Sequence, residues 1–540
     1  MDIALPVLGG LGLFLYGMNI MGTGLQKAAG ERLKRLIEVL TNNRFMGVII
    51  GTLVTMVVQS SSATTVMVIG FVNAGIMSLS QAVGVIMGAN IGTTITAQLI
   101  AFKLTDYAPL AVAIGVGIWI ATSKKKAKNM AEILIGFGIL FIGMDMMGSG
   151  LKPLASMPVF TNIMISLKNP IIGMLVGLGL TTIVQSSSAS IGLLQALAGQ
   201  GLISMNLAFP ILFGENIGTT TTALISSVGA NKTAKRAAII HFLFNLIGTI
   251  IFMTILKGPI EILVTKLSPN DVQRQIANAH TFFNLINVAI QLPFASLLVK
   301  VAKAIVPGED RQEAQEAKFL DIRIIESPPI ALGQVRKEII RMSSFVQDNL
   351  GKSRRAFVEG KYDEIDLAFE QEQKINKLER EITEYLVKLS NAPLSDEEHK
   401  EVNVYFNIIN DIERVGDHAE NIVELAEERK DNDFPFTDQA IEELHEIFGK
   451  SEEAFKHAIE AFRTNSESIA KETLAIEDEV DLLESQNRAN HIDRLNKGQC
   501  ITGAGIIFLD AISNLERVSD HSSNIALYVL DNFKRKPKNI

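Results

Sequence analysis

Gln59-Ser60-Ser61-Ser62 stands in the middle of an apolar run, and Gln185-Ser186-Ser187-Ser188 repeats it inside another. A second polar set follows each at the same distance. Asn90, Thr93 and Thr94 lie in GANIGTT, Asn216, Thr219 and Thr220 lie in GENIGTTTT, and 31 residues carry Gln59 to Asn90 and Gln185 to Asn216 alike. Amide carbonyls and hydroxyls are hard oxygen ligands for a small cation, and their hydrogens donate to an oxyanion. A single Ser/Thr cluster in an apolar helix is ordinarily a packing device or bonds back to its own carbonyls. Two clusters with one spacing are poorly explained that way, so these residues form the candidate binding set. Glu215 joins them, because an acid inside an apolar segment marks function by default; Asp145 is an acid of the same kind, and for either the alternative is a carboxylate facing water at a helix end. The motifs hold no Lys or Arg. An anion bound there needs helix N-termini and co-bound cations for compensation, which predicts cation coupling.

The elements that position these groups follow from composition. The chain has 540 residues, 48% of them hydrophobic, with a net charge of −8. Up to Val306 it carries 20 Lys+Arg and 9 Asp+Glu; from Pro307 on it carries 30 and 49. Apolar stretches of spanning length, such as Leu5–Leu25, Ala108–Ala121 and Ala237–Leu256, fall only in the first part. The expectation is an all-α chain: a membrane domain over 1–306, a linker at 307–324 and a soluble helical domain over 325–540. Met1–Leu25 has an acidic start and no basic n-region, so its apolar segment is expected to stay as a span. Cys500 is the only cysteine, which excludes an intrachain disulfide framework and fits a reducing compartment for the soluble part.

Adding 126 to a residue number carries the first membrane half onto the second: Gly10, Gly17, Gly51 and Thr55 land on Gly136, Gly143, Gly177 and Thr181, and both polar motifs on their counterparts. The repeats span about 5–122 and about 130–256, with a last span near 278–299. Internal repeats of polar-interrupted apolar segments point to a transporter with its site at the repeat interface. Met46–Val58 and Val66–Met77 are each too short to cross, so 46–76 is expected to be a re-entrant hairpin with Gln59–Ser62 near its tip. Three crossings per unit then place Lys27, Arg32, Lys34, Arg35 and Arg44 on the same side as Lys124–Lys126 and Lys128, as the positive-inside rule requires. An odd number of crossings inverts the second unit, and its hairpin near 170–200 enters from outside. The loop 257–275 comes out external and the acidic tail cytoplasmic. HFLFN and HTFFN put His241 with Asn245 and His280 with Asn284 one turn apart, chiefly for interhelical hydrogen bonding.

QSSSATT, GANIGTT, QSSSASI and GENIGTTTT resemble the type II sodium–phosphate cotransporter family, over about residues 5–305. The resemblance implies sodium-coupled uptake of inorganic phosphate by alternating access across the cell (inner) membrane, with both QSSS segments lining the sodium and phosphate sites. Glu215 departs from the small residue more usual there. The tail resembles PhoU and is also doubled: DIERVGDHAENI recurs as NLERVSDHSSNI. Glu413 with Asp417, and Glu516 with Asp520, are like-charge pairs one turn apart; they read as a solvated acidic face or as a cation site. The PhoU resemblance favours a divalent or iron-type metal cluster on them, with Glu372 and Glu477 as additional ligands. Expected partners are phosphate, sodium and the bilayer, with homo-oligomers compatible and no nucleic acid. A phosphate sensor, or a carrier of another small oxyanion, is the alternative. No Ser-His-Asp or phosphate-loop constellation supports catalysis.

Overall fold

A computed structural model describes residues 3–29, 43–308 and 317–534. Helices are the regular structure throughout, and no strand occurs among the described residues. The chain divides into two compact units, Met1–Glu313 with Asp321–Ile330, and Ala314–Leu320 with Ala331–Ile540. Arg32, Lys34 and Arg35 lie outside the described residues.

The first unit runs α1 (Ala4–Ala29), α2 (Arg44–Val58), α3 (Ser61–Asn73), α4 (Leu79–Ile100), α5 (Ala108–Ala121), α6 (Lys125–Leu151), α7 (Pro158–Ser166), α8 (Pro170–Val184), α9 (Ser187–Gly199), α10 (Met205–Gly218), α11 (Thr220–Ser226), α12 (Lys232–Ile251), α13 (Lys257–Leu267), α14 (Val272–Gln291) and α15 (Ala295–Ile305). Six stretches among the described residues are long and apolar enough to cross a membrane: Ala4–Ala29, Leu79–Ile100, Leu104–Ala121, Lys125–Ser156, Lys232–Leu267 and Val272–Ile305. The expected external loop 257–275 is corrected here. Lys257–Leu267 is helical and continues α12 through a π-helical turn at Phe252–Leu256. Gly258 and Pro259 read as loop residues, but the π-helical turn just before them has already interrupted the regular hydrogen-bond ladder, which is where a proline's missing N–H is accommodated.

The 126-residue shift is visible in the packing. A Cβ on Gly10 would stand 2.6 Å from the carbonyl oxygen of Gly143, and one on Gly136 would stand 2.6 Å from that of Gly17. The shift turns the first contact into the second. As numbers rise along α1 they fall along α6, so the two helices pack antiparallel about a local two-fold, closely enough that only glycine fits. α2 packs against α4, and α8 against α10, as parallel neighbours within each repeat, and the shift carries one contact onto the other: Gly51 faces the carbonyl of Val85, and Gly177 that of Ile211. α4 is continuous, whereas its counterpart carries Pro210 and breaks at Thr219.

Beyond α15 the chain returns to the same unit. In the 3-10 turn Ile322–Glu326, Ile324 is fully buried. Asp321 accepts a hydrogen bond from Asn73 Nδ2 at 2.7 Å and pairs with Arg323 Nη1 at 2.8 Å. Arg323 Nε donates to Ser226 O at 2.7 Å. Asn231 bonds Asn73 through its own N (2.8 Å) and Nδ2 (2.9 Å). This strap ties the end of α3 to the α11–α12 turn.

The second unit holds α16 (Pro328–Phe357), α17 (Glu364–Ser390), α18 (Asp396–Asp431), α19 (Asp438–Thr464), α20 (Glu467–Asn496) and α21 (Thr502–Lys534). Ile408, Ile412, Val415 and Ala419 recur at helical spacing and are all buried. The duplication shows in the α18–α21 seam, where His418 Nδ1 meets Asn514 Oδ1 at 2.8 Å and His521 Nδ1 meets Asp411 Oδ1 at 2.9 Å.

Candidate functional site

The helix ends where the motif begins. Gln59 closes α2 with φ 58°, ψ 21°, and Gln185 closes α8 with φ 56°, ψ 22°, both in the left-handed region. Ser60 and Ser186 then open α3 and α9 as N-caps, their hydroxyls accepting from Ala63 N at 3.1 Å and Ala189 N at 3.3 Å. Each break therefore sets the carbonyl end of one helix beside the amide end of the next, presenting acceptors to a cation and N–H groups to an anion.

The glutamines fold back on the break. Gln59 Nε2 donates to Met56 O at 2.5 Å and Gln185 Nε2 to Thr182 O at 2.6 Å. Their Oε1 atoms accept from Thr96 (3.1 Å) and Thr222 (2.7 Å), which are 126 apart. Sequence reasoning missed these two threonines, although the repeat shift pairs them. Asn90 and Asn216 donate to Ile86 O and Leu212 O, at 2.8 and 2.9 Å. Thr94 and Thr220 bond back to Ile91 O and Ile217 O, and Thr219 to Asn216 O. Thr93 is buried on α4. By contrast, Ser61, Ser62, Ser187 and Ser188 occupy the first turns of α3 and α9, where backbone N–H groups lack helical partners, and no hydrogen bond among the described residues claims their hydroxyls.

Glu215 is 1% exposed and neither carboxylate oxygen has a partner. It lies seven residues before Thr222, which follows the break at Thr219 and holds Gln185 Oε1. Its counterpart is Ala89, so only one repeat carries a charge there. Asp145 is exposed on α6 and is set apart from this set.

In the tail, carboxylate oxygens of Glu372, Asp417 and Glu420 lie within 4.8 Å of one another, as do those of Glu477, Asp481 and Asp520. Asp417 and Asp520 of the two expected pairs belong to these triads, while Glu413 and Glu516 stand beside them, each coupled electrostatically to its pair member. Along α18 and α17 the register sets Glu413 against Glu379, two turns beyond Glu372, and Glu516 feels Glu484 in the equivalent place. Burial, then the charges of Glu420 and Asp417, push the Glu372 carboxyl up to about 8, and burial with neighbouring acids raises Glu477 and Asp481. Glu372 Oε1 is buried without a partner, while Oε2 accepts from Asn349 at 3.3 Å. Hard oxygens with an orphaned buried acceptor fit a divalent or iron-type cation.

The family profile described as Na+/Pi-cotransporter matches residues 13–149 and again 142–292, and that described as PhoU domain matches 339–426 and 444–529. YjbB of Escherichia coli K12, named as an inorganic phosphate export protein, is 25% identical over 542 residues, covering 98% of this chain and 97% of its own. The sodium-dependent phosphate transport protein 2A of Rattus norvegicus is 22% identical over 380 residues, covering 46% of this chain and 60% of its own length. The crystal structure of PhoU from Pseudomonas aeruginosa aligns with 38% of this chain and 97% of its own, at 20% identity and a TM-score of 0.36. A chain whose repeated membrane half matches twice over, and whose tail matches PhoU twice over, is a membrane protein of the Na+/Pi-cotransporter family carrying a PhoU domain.

Proposed function

We propose that the chain moves inorganic phosphate across the inner cell membrane in symport with sodium, by alternating access. The membrane domain, 1–306, comprises two inverted repeats, about 5–122 and about 130–256, and a last span at about 278–299. The linker 307–324 leads to a cytoplasmic regulatory domain, 325–540. The observation that carries this reading is the pair of broken helices at Gln59 and Gln185, alike within 2° in φ and ψ, each followed by serines with unclaimed hydroxyls. The amide ends of α3 and α9 would receive phosphate oxygens, with the carbonyl ends of α2 and α8, the serine hydroxyls and Glu215 receiving sodium. With no basic residue in the motifs, co-bound sodium offsets the anion's charge. Each uncompensated positive charge then gains about 2.3 kcal/mol per 100 mV of membrane potential. The test is sodium-dependent uptake of labelled phosphate into proteoliposomes.

Inversion is supported by the antiparallel α1–α6 contact, and the strap gathers Asn73, Ser226 and Asn231, residues that the charge pattern assigns to one side. In a Cys500→Ser background, a cysteine at Lys126 should react with an impermeant thiol reagent only from the cytoplasm, and one at Met157 only from outside. Labelling of both from one face ends the inverted topology.

Direction has a second reading. The relative that matches both halves is named for export, so the same proteoliposomes should be loaded with phosphate and assayed for sodium-dependent efflux.

The tail's route to the carrier is the strap, which continues directly into α16. Truncation after Ser327 should change the uptake rate by about fivefold, the scale of a modest coupling energy, yet leave sodium dependence in place. Arg323→Ala in the full chain should reproduce that change, and combining the two should add nothing. Additive effects would give the strap no part in regulation.

A further inference from the structure

The 126-residue shift sets Glu215 on Ala89, and the two are equally sealed, 1% and 0% exposed. Five residues join α3 to α4 and α9 to α10, and each helix packs on the one that follows it. Helices so joined run antiparallel. With 13 residues in α9 and 14 in α10, the last turn of α10, which holds Glu215, comes level with the first turn of α9, which holds Ser187 and Ser188. Ala89 takes the equivalent place beside Ser61 and Ser62 in the first turn of α3. The residues flanking Glu215 point elsewhere: Gly214 packs on Met174 O of α8, and Asn216 Oδ1 meets His280 Nε2 of α14 at 3.3 Å. Leu212, three residues before Glu215 and so on a shared face, joins Ile191 and Leu194 of α9 in one buried cluster. Glu215 is the only acid in 170–226, and 44–100 contain none. Partnerless buried amide and imidazole atoms occur beside both motifs: Asn245, which donates to Asn90 Oδ1, keeps an idle Oδ1, and His280 an idle Nδ1. A partnerless carboxylate occurs beside one only, and a buried charge is stable when it is paired or coordinates a metal ion.

We infer that the two breaks take ligands of opposite charge: Glu215, with the serine hydroxyls of α9, holds a sodium ion at the second, and phosphate binds at the amide end of α3, where Ala89 brings no charge. The inference rests on the symport reading proposed above and narrows it, since that reading offers both amide ends to phosphate. A helix N-terminus favours an anion, and at α9 the carboxylate of Glu215 is already that anion. A phosphate brought there meets a like charge at short range in a medium that screens it poorly. A sodium ion brought there meets the carboxylate, the hydroxyls of Ser187 and Ser188 and the carbonyl end of α8, all hard oxygens. At α3 the same amide and hydroxyl donors stand with no acid in α2, α3 or α4 to oppose an oxyanion. Two breaks of one backbone geometry thus differ in ligand through a single side chain.

Equivalent substitutions should then have unequal effects. Ser62→Asp and Ser188→Asp each place an acid in the first turn of a helix, where it favours the helix, so both chains are expected to insert. In equilibrium binding of labelled phosphate to the full chain in detergent at saturating sodium, Ser62→Asp should raise Kd at least about tenfold more than Ser188→Asp, because it sets a charge against the phosphate and the other sets one beside the sodium ion. Glu215→Ala gives the second repeat the residue of the first and should carry one sodium ion fewer per phosphate, read in proteoliposomes from the sodium gradient at which net phosphate flux reverses. Glu215→Asp should keep the ratio of the unmodified chain. If Glu215→Ala fails to insert, Glu215→Gln removes the charge at nearly constant volume and should lower the ratio equally. A smaller difference between the two serine variants, the reverse order, or an unchanged ratio in the uncharged Glu215 variants would overturn the division. Failure of the symport reading looks different: the unmodified chain would then move no phosphate in response to sodium.

Discussion

Gln59→Ala and Gln185→Ala should each lower sodium-dependent phosphate uptake by about 100-fold or more, equivalent to about 2.7 kcal/mol, with the protein still inserted and monodisperse in detergent. Each glutamine does two things at a helix break. Its amide closes the last turn of α2 or α8 on Met56 O or Thr182 O, and its carbonyl is held by Thr96 or Thr222. Alanine deletes the oxygen and unties the break from the neighbouring helix. It also leaves a β-carbon in the left-handed region, where a non-glycine residue costs about 1–2 kcal/mol. Gln59→Gly and Gln185→Gly separate these effects, since glycine tolerates φ near +58° without strain. Glycine should therefore rescue nothing. Recovery with glycine would show that backbone geometry alone matters, and ordinary uptake in both alanine variants would remove the site.

The repeat made much of this legible before any coordinates. A constant offset of 126 marks both polar segments at which the helices break and makes Asn90 the counterpart of Asn216, because a polar interruption repeated in two apolar runs is visible without knowing its geometry; which glycines touch across helices is not. Thr96 and Thr222 were hidden by ordinary chemistry: a threonine in an apolar helix has many bland uses, and only the coordinates show which glutamine it holds. The helix over Lys257–Leu267 was hidden for the opposite reason, since Gly258 and Pro259 advertise a turn, whereas the chain continues its helix past them through a π-helical turn. Residues 321–324 fall in the expected linker and 325–326 in the expected tail, and sequence offers no sign that Asp321 and Arg323 fold back on Asn73 and Ser226. In the tail, spacing within one helix pairs Glu413 with Asp417 and Glu516 with Asp520, but that Glu372 and Glu420 gather on Asp417, and Glu477 and Asp481 on Asp520, depends on the register of the neighbouring helix, which spacing does not give. His241 and His280 were legible as polar members of apolar helices, but that His280 Nε2 reaches Asn216 while both His241 ring nitrogens stay without a partner was not, because spacing along one helix does not say which ring meets which neighbour.

Asp417→Ala combined with Asp520→Ala should strip the bound metal from the tail, from about one ion per triad to background, measured by elemental analysis of the isolated domain from about residue 325 onward. One carboxylate is lost from each triad, leaving Glu372 with Glu420 and Glu477 with Asp481, too few hard oxygens for a cation that takes six to eight. Glu413→Ala with Glu516→Ala should retain most of the metal, since those side chains lie outside the triads. The same geometry fixes a pH dependence. In the metal-free domain Glu372 holds its proton up to about 8, far above an ordinary glutamate near 4.5, because burial and two neighbouring acids oppose its charge. The folded state binds that proton more tightly than the unfolded chain does, so stability falls as pH rises from about 4.5 to about 8 and levels off above. A bound cation reverses the electrostatics by favouring the ionised carboxylates. The chelator-treated domain should therefore melt at progressively lower temperature between pH 5 and pH 8, and restoring metal should raise the midpoint far more at pH 8 than at pH 5. A chelator-treated domain whose midpoint climbs over that range, or unchanged metal content in the Asp417/Asp520 variant, would exclude the triads as the cation site.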